Sequence, residues 1–182
     1  MSDHDPRAAE VTKFWREAGP EKWFLKDDAF DARFRQQFLD LHFAAARREL
    51  DGWADQPEGS LALMIVLDQF PRNCFRGTAH MFATDPLARR FAQQALTAGH
   101  DQQVEQPLRI FFYLPFEHSE NLEDQHIAVE HSIPLGEETL KYAVVHRDII
   151  EQFGRFPHRN KALGRETTPE EQAFLDAGGF AG

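Results

Sequence analysis

H-R-D-I-I-E-Q-F-G-R-F-P-H-R-N, from His146 to Asn160, ends one helix and begins the next piece of chain. Tyr142, Val145, His146, Ile149, Ile150 and Phe153 recur at three- and four-residue steps, the spacing of one apolar helical stripe. Gly154 fits the left-handed residue that closes a helix, and Pro157 forbids simple continuation. Arg155, His158 and Arg159 crowd that exit, with Arg147 two turns back. The negative end of the helix dipole accounts for one or two cations there. It does not account for Phe153 and Phe156 alternating with them.

Outward from this stretch the same grammar repeats. Asp5-Pro6, Gln56-Pro57, Asp85-Pro86, Gln106-Pro107 and Thr168-Pro169 each place proline where a first helical turn needs no N–H. Helices are expected over Pro6–Glu17, about Asp28 to Leu50, from near Pro57, over Thr78–Phe82 and over Pro86–Ala98. Another is expected from Pro107 until Pro115 breaks it, and one capped by Ser119 with an acidic first turn. Thr168 with Glu171 makes a capping box for a last small helix. The Leu61–Leu67 run is apolar all round, which marks a buried central helix. No run alternates with β-branched enrichment, so no strand is expected. The expectation is a single all-α domain over 1–182, an antiparallel array of helices with its core at about 6–163 and an extension at 164–182.

The chain has 182 residues, 42% of them hydrophobic and 27% charged, ordinary for one globular domain with a substantial core. A net charge of -10 argues against nucleic acid as a partner, since phosphate neutralisation needs clustered Lys and Arg. The apolar runs are far too short for a membrane. Cys74 is the one cysteine, which rules out an internal disulfide and Cys-based metal sets and points to a reducing, cytoplasmic setting. The polar stretch Met1–Glu10 is not a signal peptide.

Three groupings carry chemistry. Arg72, Arg76, Arg147, Arg155, His158 and Arg159, with Asn73 and Asn160, suit a carboxylate or phosphate, because guanidinium offers a planar fork. The plainer account pairs Asp68 with Arg72, and Glu151 with Arg147 or Arg155, at helical spacing. His118, Glu120 and Asp124 could supply acid–base groups, or be an ordinary loop histidine and helix start. Glu123-x-x-His126 is half of a di-iron pattern without its second half, so no metal and no cofactor are called for. The segments 65–73 and 149–160 echo each other, both running from an apolar helix end through acid-Gln-Phe to Pro, Arg and Asn.

D-Q-F-P-R-N-x-F-R-G-T at Asp68 to Thr78, F-A-T-D-P-x-A at Phe82 to Ala88 and P-F-x-H-S-E at Pro115 to Glu120 resemble the bacterial domain-of-unknown-function 924 family. H-R-x-I-I-x-x-F-G-R-F-P-H-R-N at His146 to Asn160 is similar to that family's most specific signature. The resemblance runs from about Phe14 to the C-terminus. It implies an all-helical fold related to tetratricopeptide repeats, and carries no reaction or cofactor with it. The working expectation is that the motifs converge on a site for a small anionic ligand. Arg72, Arg76, Arg147 and Arg159 hold the anion with Asn73, His118, His146 and His158 move protons, and Asp68, Glu120 and Asp124 orient them. The alternatives are a protein-interaction module whose Arg–acid pairs are structural, and a metal-dependent hydrolase built on His118, Glu120 and a distant histidine.

Overall fold

The computed structural model describes residues 5–182. The part of the polar N-terminal stretch at 1–4 lies outside the described residues. Every regular element among the described residues is helical. They are α1 (Pro6–Ala18), α2 (Pro20–Trp23), α3 (Asp28–Ala46), α4 (Pro57–Met64), α5 (Phe70–Cys74), α6 (Asp85–Ala98), α7 (Ile110–Glu117), α8 (Leu122–Ser132), α9 (Glu137–Phe153), α10 (Asn160–Leu163) and α11 (Pro169–Asp176), with 3-10 turns between them. No helix among the described residues is long and apolar enough to cross a membrane. The contacts group into two compact units. The first runs up to Arg76 and resumes over His80–Pro115; the second holds Gly77–Ala79 and Phe116–Gly182.

The first unit is built around α4. Leu61, Ala62, Leu63 and Met64 are wholly buried, as an all-apolar helix must be. Aromatic rings close the core: Trp15, Phe30 and Phe34 pack at 5.3–6.1 Å, and Phe34 meets Phe70 edge-on at 5.0 Å. Gly59 is required here, because a Cβ would lie 2.1 Å from the Trp53 carbonyl oxygen. The long second helix ends at Ala46 and not at Leu50. The chain turns at Arg48, whose φ of 68° is left-handed, and Arg48 is held there by Asp51.

Between α4 and α5 the chain makes a π-helical turn, Ile65–Gln69. Pro71 explains it. Proline has no N–H, so the carbonyl of Leu67, four residues earlier, loses its helical donor. The Phe70 N–H slips back to the Ile65 carbonyl, which releases the Val66 carbonyl as well. Side chains satisfy both oxygens: His42 Nδ1–H donates to Val66 O at 2.8 Å, and the Thr84 hydroxyl to Leu67 O at 2.5 Å.

The second unit centres on α8 and α9 and the segments that follow them. Gly136 precedes α9 and Gly154 closes it with φ of 70°, the expected left-handed cap. Ile149, Ile150 and Phe156 form its core, with Val145, Phe153, Phe174 and Phe180 against them. Tyr142 departs from the expected stripe, being 52% exposed while Ala143 is buried. The echo between 65–73 and 149–160 is one of sequence: the first copy passes through a π turn, the second stops at a left-handed glycine.

Other boundaries differ from expectation. Pro115 lies inside α7 and does not break it, because buried Phe111, Phe112, Leu114 and Phe116 hold the helix by packing. Ser119 is not the cap of α8. Asn121 takes that place, its side-chain oxygen accepting the Glu123 N–H at 2.8 Å, while the Ser119 hydroxyl donates to Asp124 at 2.7 Å. The capping box at Thr168 and Glu171 forms as expected.

Candidate functional site

In the first unit the sequence-picked residues make two knots. Asp68 is buried, as its place on the α4 face requires. The Arg72 guanidinium donates to it at 3.2 Å and forks onto Asp85 at 2.8 and 2.9 Å, and Gln69 Nε2 donates to its other oxygen at 2.7 Å. The expected Asp68–Arg72 pair is therefore present, with Asp85 as a partner 13 residues on. Asn73 and Arg76 instead share Asp31, at 2.7 and 3.2 Å. Burial, with Asp31 beside it, pushes the Cys74 thiol up to about 12, so it is no thiolate nucleophile at neutral pH.

In the second unit the signature stretch divides its labour residue by residue. Arg155 turns away from Glu151 and forks onto Glu171 at 2.6 and 2.9 Å. That hydrogen-bonded pairing holds the Glu171 carboxyl well below the usual range. Buried Asn160 donates to Glu171 at 3.0 Å and accepts from Arg165 at 2.9 Å. Burial works to raise Glu120, yet Arg165 and the Phe156 N–H at 2.8 Å hold it below its ordinary value. Glu120 thus clamps the chain at Phe156. Asp124 accepts from Ser119, and Gln125 Nε2 ties the carbonyls of Glu117 and Ser119 at 2.6 and 2.7 Å. Arg147 lies on the outer side of α9 against Asp148 and Glu151.

What these clamps hold together is a cluster of rings around Arg159. Arg159 is 6% exposed, and its guanidinium lies 4.4 Å over the Phe156 ring and donates from Nη2 to the His118 carbonyl at 2.9 Å. His146 lies 6.3 Å from His118 and 5.5 Å from Phe156, ring to ring. His158 stands 5.7 Å from Phe156. The structure thus brings His118, His146, His158 and Arg159 together in one unit.

It also adds a residue that the sequence did not single out. Glu117 is 5% exposed, and its Oε1 lies 3.1 Å from His146 Nδ1, which also donates to the Tyr142 carbonyl at 2.8 Å. With Nδ1–H given to the Tyr142 carbonyl, the neutral ring presents Nε2 as an acceptor. Burial lowers His146 to about 3, against the raising pull of the Tyr142 carbonyl, so the ring is neutral at pH 7. The only hint of Glu117 in the sequence is an acid ending an apolar run directly before His118.

No group of three or more His, Cys, Asp or Glu among the described residues is arranged to hold a metal ion. A groove of about 630 Å³ on the first unit, lined by Phe14, Phe30 and Phe38 with Lys13, Lys22 and Arg33, holds none of the residues picked from the sequence.

A solved structure of a protein of unknown function from Agrobacterium tumefaciens is similar over nearly all of both chains. It has a TM-score of 0.92 and 61% identity, covering 94% of this chain and 97% of that one. No curated protein matches the chain. The model of the family described as bacterial protein of unknown function, DUF924, matches residues 11–179. The helical fold, the signature stretch at His146–Asn160 and that match agree, and the chain belongs to the DUF924 family of bacterial proteins.

Proposed function

We propose that the second unit binds a small anion, a carboxylate or a phosphate, at Arg159, with His118 and His158 beside it. The observation that carries the reading is the buried Arg159 guanidinium set among three imidazoles on an aromatic wall. A guanidinium in such surroundings attracts an anion more strongly than it would in water, and its fork matches two oxygens. The Glu117–His146 pair keeps a neutral imidazole in a fixed orientation within the cluster. The carboxylate lies 3.1 Å from Nδ1 and holds the ring's orientation beside the Tyr142 carbonyl. The reading it competes with is structural, in which Arg159 locks the chain at the His118 carbonyl.

An NMR titration of the histidine ring signals with inorganic phosphate separates the two. The His118 and His158 resonances should move with saturable binding. Arg159→Lys keeps the charge and loses the fork, and should weaken that binding about tenfold, the loss of roughly 1.4 kcal/mol. Unmoved resonances, or equal affinity in Arg159→Lys, would leave the structural reading in place. So would an Arg159→Ala protein that is destabilised and shows no phosphate response in either form.

A further inference from the structure

The histidine cluster already has an occupant, and it comes from the chain itself. α11 ends at Asp176, and the segment after it folds back so that Phe180 meets two of the three imidazoles. Its ring lies 4.5 Å from His146 and 5.3 Å from His158, both edge-on at 60° and 81°. Phe156 lies 5.5 and 5.7 Å from the same two rings. The Phe180 ring thus packs on two imidazoles that both also meet Phe156, and the Arg159 guanidinium lies 4.4 Å over the Phe156 ring.

Two glycines steer the ring in. Gly178 takes φ of 79°, and a Cβ on Gly179 would lie 2.5 Å from the Phe174 ring and 2.6 Å from its carbonyl oxygen. The backbone is anchored as far as Gly179, whose N–H donates to the Phe174 carbonyl at 3.0 Å. Beyond it, among the described residues, no backbone–backbone hydrogen bond ties the segment down. The Phe180 ring anchors this last stretch on His146 and His158, and Gly182 also lies against the His158 ring. A ring held by aromatic packing exchanges for another ring of the same shape without breaking a backbone–backbone hydrogen bond.

We propose that Phe180 stands in the aryl subsite of the anion site, so that the ligand class is a small aromatic acid or aryl phosphate. Its ring replaces that of Phe180 against His146 and His158, and its anionic group reaches Arg159. This rests on the anion reading above and narrows it. The tail then acts as a built-in competitor, which the ligand must displace.

Phenyl phosphate and inorganic phosphate are the paired probes, titrated calorimetrically into the full chain and into Phe180→Ala. Phenyl phosphate should bind Phe180→Ala at least about tenfold more tightly than it binds the native chain, with inorganic phosphate affinity within about twofold. In the native chain, phenyl phosphate should also speed amide exchange over residues 177–182, and inorganic phosphate should not. That second readout decides the matter even if Phe180→Ala folds poorly. Equal phenyl phosphate affinity with and without the Phe180 ring, or unchanged exchange in the tail, overturns the proposal. If inorganic phosphate binds through Arg159 while phenyl phosphate gains nothing, the aryl subsite falls and the anion site stands. If neither probe binds either protein, the anion reading falls and the subsite with it.

Discussion

Burial sets the charge of His42 and of His146. His42 sits among Phe43, Phe70 and Phe75, gives its Nδ1 proton to the Val66 carbonyl, and so faces His80 as an acceptor through Nε2 at 2.8 Å. Burial lowers it to about 4 and His146 to about 3, from an ordinary value of 6.5. In the unfolded chain both titrate near 6.5. Below that pH the unfolded chain takes up protons that the folded chain refuses, so stability is complete above about 6.5 and falls as pH drops toward 4. Each ring costs the folding equilibrium about tenfold per pH unit in that window. Urea unfolding at pH 7 and pH 5 should show this loss, and His42→Gln should show a shallower one. A flat profile between those two pH values would contradict the neutral, buried assignment. These charges were not legible from sequence. The stripe spacing places His146 among apolar residues but says nothing of the Tyr142 carbonyl, which fixes its tautomer, or of Glu117, which holds its orientation.

Helices were legible where one residue type has one use. Proline at a first turn, glycine after a last turn and a Thr-x-x-Glu box are local signals, and Pro6, Gly154 and Thr168 act as their chemistry requires. The π turn was not legible, because Pro71 only removes a donor. What replaces it, Thr84 and His42, comes from other helices and other parts of the sequence. The same is true of Arg155, which has an acid at helical spacing in Glu151 yet pairs with Glu171, 16 residues on. Spacing finds pairs within a helix and is silent about pairs between helices. Thr84→Val keeps the volume and removes the hydroxyl, leaving the buried Leu67 carbonyl unmatched at a cost of about 1–3 kcal/mol. Thr84→Ser should recover most of that. Chemical denaturation of the two variants measures it, and equal stability for both would mean the carbonyl does not depend on Thr84.

For the whole molecule, the all-α class and the DUF924 membership follow from signals spread along nearly the entire chain. The sequence also marked a stretch whose residues gather in the second unit. Of the residues it named, His118, His146, His158 and Arg159 come together, whereas Glu120, Arg155 and Asn160 are bound up in fixing the chain around them. Such clamps and such sites are built from the same residue types, and only geometry tells them apart. The central claim is that Arg159 holds an anion. Its most direct test is thermal unfolding of the native protein and of Arg159→Lys across a series of phosphate concentrations. Phosphate at about 100 times its dissociation constant should stabilise the native protein by roughly 2.7 kcal/mol, and the same concentration should stabilise Arg159→Lys by clearly less. Equal stabilisation of both proteins, or none in the native one, would contradict an anion site at Arg159.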